Sequence, residues 1–388
     1  MISDKVYLDY AASTPVDSRV IDAMLPYFDQ HFGNPSSTHF YGQKAEAAIE
    51  NARETIARAL NCNPYEVVFT SCGSESDNLA LRGAAWASRQ ERGADHILIS
   101  PVEHHAVSHT AQQLADLFEF ELEYLPIDEF GMVRPDTVAE LLRPSTAIVS
   151  VIHANNEIGT LNPIAEIGTV CQEKGVPFHS DSVQGAAHLP VDVQELNVDL
   201  LAIGAHKFYG PKGVGALYVR EDIKLQPSQT GGSQELGRRA GTQNTPYIVG
   251  MGEAFRLVQA EHNQRHDQAL AMRIRIIGHV LEEIPDVVLT GHPSERLSNH
   301  ASFAFKDVDG NNLLMLLDVE GFACSSGSAC KTGNPEPSGV LTALGLSPDW
   351  GLGSLRVTVG KDTTPLEVDK FLEVLPLAIE KVRKINHR

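Results

Sequence analysis

Cationic charge is scarce in this chain of 388 residues: 31 Lys and Arg stand against 50 Asp and Glu, a formal net charge of −19. That balance repels polyanions, and no segment gathers Lys and Arg into a patch, so nucleic acid and anionic membrane surfaces are not expected as partners. Long apolar runs are missing too. None reaches the ~20 residues that a bilayer span needs. The first residues, Met1-Ile2-Ser3-Asp4-Lys5, lack the basic-then-apolar layout of a secretory leader. A cytoplasmic protein is the expectation. Cysteine is sparse, with Cys62, Cys72, Cys171, Cys324 and Cys330 and no Cys-x-x-Cys spacing. The odd count does not describe a disulfide framework, and the spacing argues against a structural zinc site. Only two Trp are present, yet 42% of residues are hydrophobic. A chain of this length and composition can bury one large core and a smaller one.

What is there begins with Asp199 to Val219. Leu200–Ile203 and Val214–Val219 are apolar runs of strand length, separated by Gly204, Gly210, Pro211 and Gly213. Lys207 stands beside His206 at the end of the first run. A lone lysine there is ordinarily a solvated loop residue. One held at the mouth of a buried sheet is poorly solvated, which lowers its pKa and frees the amine as a nucleophile toward a carbonyl. Upstream, Val176-Pro177-Phe178-His179-Ser180-Asp181 reads as a strand that ends in a carboxylate. A strand-end Lys and a strand-end Asp meeting in one crevice suit pyridoxal phosphate: the lysine carries the cofactor as a Schiff base, and the aspartate keeps the pyridine nitrogen protonated.

A third component lies earlier. Glu66–Thr70 is a strand that feeds Ser71-Cys72-Gly73-Ser74-Glu75-Ser76 and then a helix from Leu79 toward Trp86. Free N–H groups and the helix dipole at such a turn favour an anion, although Ser74 and Ser76 would also serve as N-caps. His96–Ser100 is a strand followed by Glu103-His104-His105, which places His104 to lie against a flat ring. His105 and His109 have metal-ligand spacing but no acidic third ligand, so no metal is expected. Ala147–Ile152 ends in His153-Ala154-Asn155-Asn156-Glu157, and Ile164–Lys174 is a helix. Strands alternating with helices over 66–220 predict an α/β fold with a mostly parallel, helix-covered sheet. Ligands of such sheets bind at the carboxyl ends of the strands, where Ser74, His104, Asn156, Asp181 and Lys207 all fall.

Residues 230–242 read as a flexible, partly basic loop. A long helix is expected from about Phe255 to Ile284, bridging into a second unit. That unit would have strands near 287–290, 301–305 and 355–359 and a last helix over 365–385. Within it, residues 323–337 are small, polar and glycine-bearing, which predicts a mobile exposed loop. Cys330, next to Lys331 on that loop, can ionise and reach a substrate, whereas Cys324 follows an apolar stretch and reads as structural.

Taken together, these residues resemble the cysteine desulfurases of the class V aminotransferase family, from Tyr7-Leu8-Asp9-Tyr10 to Leu355-Arg356-Val357. The most specific stretches are 70–78, Glu103-His104, 155–159, 206–213 and Ser325-Ser326-Gly327-Ser328-Ala329-Cys330. The resemblance implies a fold-type-I pyridoxal phosphate enzyme, with a mostly parallel seven-stranded sheet in a large cofactor-binding domain over 15–255. A smaller α+β domain, formed by 1–14 and 256–388, would carry the cysteine loop. It further implies that Lys207 bears the cofactor and shuttles the proton at the substrate α-carbon. Asp181 would pair with the pyridine nitrogen, and His104 would stack on the ring. Asn156 and Gln184 would reach the phenolic oxygen. Gly73, Ser74 and His206 would hold the phosphate, with Thr242 reaching over from a second subunit of a homodimer. Arg356, with Asn156, would bind the substrate, its fork gripping the carboxylate. Cys330 would attack the sulfur of L-cysteine, releasing alanine and keeping a persulfide for an acceptor protein such as an iron–sulfur scaffold.

One position departs from the family pattern. Two residues before the His-Lys pair the family usually has a serine that touches the phosphate; here it is Gly204, followed by Ala205. Two other activities compete with desulfuration. A lyase or transaminase with the same cofactor would have no use for Cys330. An iron–sulfur carrier using Cys324 and Cys330 would leave Lys207, Asp181 and the phosphate turn without a task.

Overall fold

The computed structural model describes residues 5–327 and 337–386. In chain order its strands are β1 (Val6–Tyr7), β2 (Val67–Thr70), β3 (His96–Ile99), β4 (Glu121–Tyr124), β5 (Thr146–Ser150) and β6 (Phe178–Asp181). They continue with β7 (Leu200–Gly204), β8 (Gly215–Val219), β9 (Val287–Leu289), β10 (His300–Phe305), β11 (Phe322–Ala323) and β12 (Ser354–Thr358). Seven of them form one sheet in the order β2-β8-β7-β6-β5-β3-β4. Only β8 runs against its neighbours, β2 and β7; the other pairings in the sheet are parallel. The expected α/β architecture and its mostly parallel seven-stranded sheet are therefore present.

Strand alternation shows why these runs read as continuously apolar. Val67, Phe69, Leu201 and Ile203 pack on one face with the helices Phe40–Leu60 and Thr245–Ala260. Val68, Leu200 and Ala202 pack on the other with Gly73–Arg92 and His105–Phe118. Side chains change face at every residue, so a strand covered on both sides is apolar at most positions, and polar residues buried within it are paired, as His96 is with Thr146. At the carboxyl ends the rule lapses, and polar residues begin.

A second core gathers Leu8, Phe303, Phe305, Leu355, Val357 and Phe371 around a three-stranded antiparallel sheet in the order β12-β10-β9. The helices His262–Glu283, Gly310–Val319 and Pro365–Asn386 contribute to it. The amino-terminal segment belongs to this core: β1 pairs in parallel with β11, and Thr358 N–H donates to the Leu8 carbonyl at 2.8 Å.

Two sequence expectations need correction. The helix expected over 255–284 is two helices, Thr245–Ala260 and His262–Glu283, which meet at Glu261 with φ −105° and ψ 8°. Glu261 turns its carboxylate to Arg19 and Arg265, both at 2.6 Å, so side-chain pairing accompanies the break. β4 went unseen because it is a half-exposed edge strand whose Glu121 and Glu123 face Arg143 rather than a core. Among the described residues, no helix is long and apolar enough to cross a membrane.

Candidate active site

The carboxyl ends of β2, β5, β6 and β7 open into a cavity of about 270 Å³. Its lining includes Gly73, Ser74, His104, Asn156, Asp181, Gln184, His206 and Lys207. Eight of the residues singled out from the sequence therefore meet in one place.

Lys207 closes the short 3-10 turn Ala205–Lys207 after β7, and its Nζ donates to the carbonyls of Ala11 at 2.6 Å and Ala12 at 2.9 Å. The amino-terminal segment is thus held against the Lys207 amine. Burial, reinforced by the charge of Arg356, pushes the Lys207 amine down to about 8. Asp181 ends β6, fully enclosed, with one carboxylate oxygen accepting from the Val183 N–H at 2.9 Å. Burial raises its carboxyl above the ordinary range, while His104 and Lys207 oppose that rise.

His104 is the N-cap of the helix His105–Phe118, and its Nδ1 accepts the Ala106 N–H at 3.1 Å. The neutral ring then carries its proton on Nε2. Desolvation, together with Lys207 and the neighbouring His105 and His109, holds it below the usual histidine range, which suits a neutral ring for stacking. His105 and His109 stack on each other, centroids 4.7 Å apart.

The phosphate turn is built differently from either serine cap. Cys72 is the N-cap of Gly73–Arg92 and makes no side-chain cap, while Ser76 Oγ lies 2.8 Å from Thr70 Oγ1. The first-turn N–H groups, which have no helical acceptor, remain for an anion. Gly73 is required there: a Cβ would fall 2.5 Å from Val183 Cγ2. His206 is pushed down to about 4 by burial and by Lys207 and Lys212, and its Nδ1 lies 3.4 Å from Ser13 Oγ. Gln184 donates from Nε2 to the Ala11 carbonyl at 2.7 Å.

Three predicted residues lie apart from this lining. Arg356, on β12, is not among the lining residues but donates from Nη1 at 2.9 Å to the carbonyl of Asn156, which is. Thr242 is exposed and is not among the residues lining the cavity of its own chain. Cys330 lies outside the described residues. Cys324 packs beside the second core, where burial pushes its thiol well above the ordinary range, as a structural role requires.

The sequence reading passed over Asp77, His179 and Cys72. Asp77 lines the cavity; its Oδ1 and His179 Nε2 are 3.5 Å apart, and neither has a hydrogen-bond partner among the described residues. Burial and the carboxylates of Asp181 and Glu103 raise Asp77 well above its ordinary range, and burial takes His179 down to about 3. A signal existed: His179 is two residues before Asp181, hence on the same strand face. Asp77, His104 and Asp181 bring polar atoms within 4.8 Å of one another. Two enclosed carboxyls beside an aromatic imidazole and an amine of lowered pKa fit a flat heterocycle with a protonated nitrogen and a carbonyl. The anion-binding turn at the other end fits a phosphate. The residues present therefore suit pyridoxal phosphate.

Comparison with known proteins agrees. The family model described as "Aminotransferase class-V" matches residues 6–371. The protein named cysteine desulfurase IscS of Methanosarcina thermophila is 45% identical over 381 residues, covering 98% of this chain and 93% of that one. A solved structure titled "NIFS-LIKE PROTEIN" superposes with a TM-score of 0.90 at 32% identity, covering 97% of this chain and all of its own. Another, titled "SspA in complex with cysteine", gives a TM-score of 0.80 at 36% identity, covering 92% and 99%.

Proposed function

This chain belongs to the class-V aminotransferase family, and from that premise we propose that it is a pyridoxal phosphate-dependent cysteine desulfurase. The activity is conversion of L-cysteine to L-alanine with transfer of the sulfur to Cys330 as a persulfide. The observation that carries this reading is the Lys207 amine, pushed down to about 8 in the same cavity as the enclosed Asp181 carboxyl. When bound, the cofactor supplies a carbonyl for the substrate amine and a ring that draws charge from the α-carbon.

The chain's own groups would do the rest. Asp181 holds a proton at the ring nitrogen, and His104 covers the ring face. Asn156 and Gln184 meet the phenolic oxygen. Gly73, Ser74 and His206 take the phosphate, and Arg356 grips the substrate carboxylate. Lys207 moves the proton at the α-carbon. The Cys330 thiolate attacks the substrate sulfur, so an S–S bond forms as the Cβ–S bond breaks; its electron pair stays with the three-carbon fragment, which takes up a proton at Cβ and leaves as alanine. In this division of labour 15–255 binds the cofactor, while 1–14 with 256–388 carries the cysteine loop. We place the work in the cytoplasm, with the persulfide passed to an acceptor such as an iron–sulfur scaffold. The test is simultaneous measurement of alanine and sulfide from L-cysteine with the visible spectrum of the holoenzyme. With a thiol reductant present to release the persulfide as sulfide, equal yields and a cysteine-dependent spectral change are expected; a transamination product in place of alanine would overturn the reading.

Assembly follows from the loop at 230–242. Glu235 is clamped by Arg53 at 2.7 Å and by the Phe69 N–H at 2.9 Å, yet Thr242 remains exposed and away from its own cavity. The family resemblance assigns Thr242 to the phosphate of a neighbour in a two-fold homodimer, and its exposure away from its own cavity supports that reading. Light scattering at micromolar concentration is expected to give twice the chain mass of 42.2 kDa. A fully active monomer would refute the assignment.

Gly204 offers a gain-of-affinity experiment. Its φ of −135° and ψ of 121° are ordinary extended values. A Cβ there would meet Val183 Cγ1 at 3.4 Å and the Gly73 nitrogen at 3.5 Å, both normal contacts. Gly204→Ser should therefore fit without rearrangement and add a hydroxyl at the phosphate turn. One such hydrogen bond is worth about 1 kcal/mol, or roughly a fivefold lower cofactor Kd. Equilibrium dialysis of the cofactor against both proteins measures it; an unchanged or weaker affinity would remove Gly204 from the phosphate site.

A further inference from the structure

Arg356 is the only guanidinium assigned to the substrate, and its surroundings show how it is held. Asp9 Oδ1 accepts from Arg356 Nη2 at 2.8 Å, and the Asn156 carbonyl accepts from Nη1 at 2.9 Å. The Arg356 side chain is 8% exposed and that of Asp9 18%. Arg356 Nε is buried and has no hydrogen-bond partner among the described residues. A guanidinium has five N–H donors. Among the described residues two are engaged by fixed acceptors, which leaves three, and a bidentate carboxylate needs two adjacent ones.

The backbone explains why Asp9 is in this place. Asp9 bridges in parallel to Thr358, two residues beyond Arg356 on β12, and residues two apart share a strand face. Thr358 N–H donates to the Leu8 carbonyl, and Ala12 N–H donates to the Asp9 carbonyl at 3.0 Å. Tyr7 braces the same turn by donating its hydroxyl to the carbonyls of Asp9 and Ser13, each at 2.9 Å. The next residues, Ala11 and Ala12, receive the Lys207 amine. One short segment thus touches both cationic side chains of the site. Electrostatically the two members of the Asp9–Arg356 pair oppose one another at Lys207: Arg356 lowers its amine, and Asp9 raises it.

We propose that Asp9 is the positioning residue of Arg356, fixing the guanidinium plane together with the Asn156 carbonyl and leaving the Nε edge for the substrate carboxylate. The inference rests on the assignment of Arg356 to that carboxylate. A planar fork with one anchored and one mobile end would sweep several orientations, only some of which receive a carboxylate bidentately. The Asp9 carboxylate also compensates the guanidinium charge beside Lys207.

The test compares binding of L-alanine and L-alaninamide to holoenzyme by calorimetry, since the two differ in the carboxylate alone. Wild type should prefer alanine. Asp9→Ala should shrink that preference roughly tenfold, the scale of effect expected from a misplaced binding group, with alaninamide affinity unchanged. Asp9→Glu should restore part of it. An unaltered preference in Asp9→Ala, with the preference lost in Arg356→Ala, would overturn the role of Asp9 alone. An unaltered preference in Arg356→Ala would overturn the carboxylate assignment and this inference with it. Equal loss of both ligands in Asp9→Ala would make the residue merely structural. Should Asp9→Ala fail to fold, Asp9→Asn, which keeps the shape and removes the charge, carries the same comparison.

Discussion

Lys207→Ala should lose cysteine turnover by at least about three orders of magnitude, the scale of a removed acid–base group combined with a lost covalent anchor. The reason is the state of the amine. At neutral pH a lysine at about 8 is roughly a tenth neutral, whereas one at its ordinary value would be neutral in about one molecule in three thousand. The cavity therefore supplies a nucleophile that a solvated lysine could not. Only the neutral amine can add to a carbonyl, so capture of added cofactor by the apoprotein should speed up as pH rises through about 8 and level off above it. Lys207→Arg keeps the positive charge and the reach to the Ala11 carbonyl but offers no neutral amine, so it should be as inactive as the alanine variant. Borohydride treatment of wild-type holoenzyme should fix the cofactor to the peptide carrying Lys207, and neither variant should be labelled there. Labelling of another lysine, or turnover near wild type in Lys207→Ala, would break the central assignment.

How much of this was readable beforehand follows from the physics of each element. Strands buried on both faces announce themselves as apolar runs, so β2, β3, β5, β6, β7 and β8 were visible within a residue or two. Their polar terminators, Asp181, Asn156 and His104, were visible as interruptions of those runs. β4 was not, because an edge strand with one face in solvent can alternate Glu with Leu and Tyr. The break at Glu261 was hidden because the sequence stays helix-compatible on both sides of it; the partner on Arg19 is 242 residues away. Asp9 was quoted as part of a motif without a task for the same reason. Its meaning depends on Arg356, 347 residues distant, and no local pattern encodes such a pairing. Asp77 was a near miss, three residues beyond Ser74 on the helix that makes the phosphate turn. Carboxyls near a phosphate turn look unfavourable in a linear reading, and only the fold shows that Asp77 points to Asp181 and His179 instead.

The division of labour among the cysteines yields the second large effect. Cys330→Ala should leave the fold and the cofactor spectrum intact, because Lys207, Asp181 and the phosphate turn are untouched. Persulfide formation and cysteine-dependent sulfide release should fall by roughly three orders of magnitude or more, as for loss of any nucleophile on which a mechanism depends. Three other thiols are poor substitutes. Cys171 is buried in the first core and pushed well above the ordinary thiol range; Cys62 is pushed up to about 12; Cys324 is raised by its own burial. The remaining competitor is Cys72, which lines the Lys207 cavity as the N-cap of the phosphate helix. Four proteins therefore belong in one experiment: wild type, Cys330→Ala, Cys72→Ala and the double variant, each assayed for alanine, sulfide and bound persulfide. Cys72→Ala alone should retain turnover. Cys324→Ala should retain it too, and should cost about 1 kcal/mol of stability because the side chain packs only at the edge of its core. A persulfide that survives Cys330→Ala and disappears in the double variant would move the acceptor role to Cys72. Near-normal sulfide release from the double variant, with pyruvate and ammonia in place of alanine, would mean that sulfur leaves by β-elimination without any enzyme persulfide.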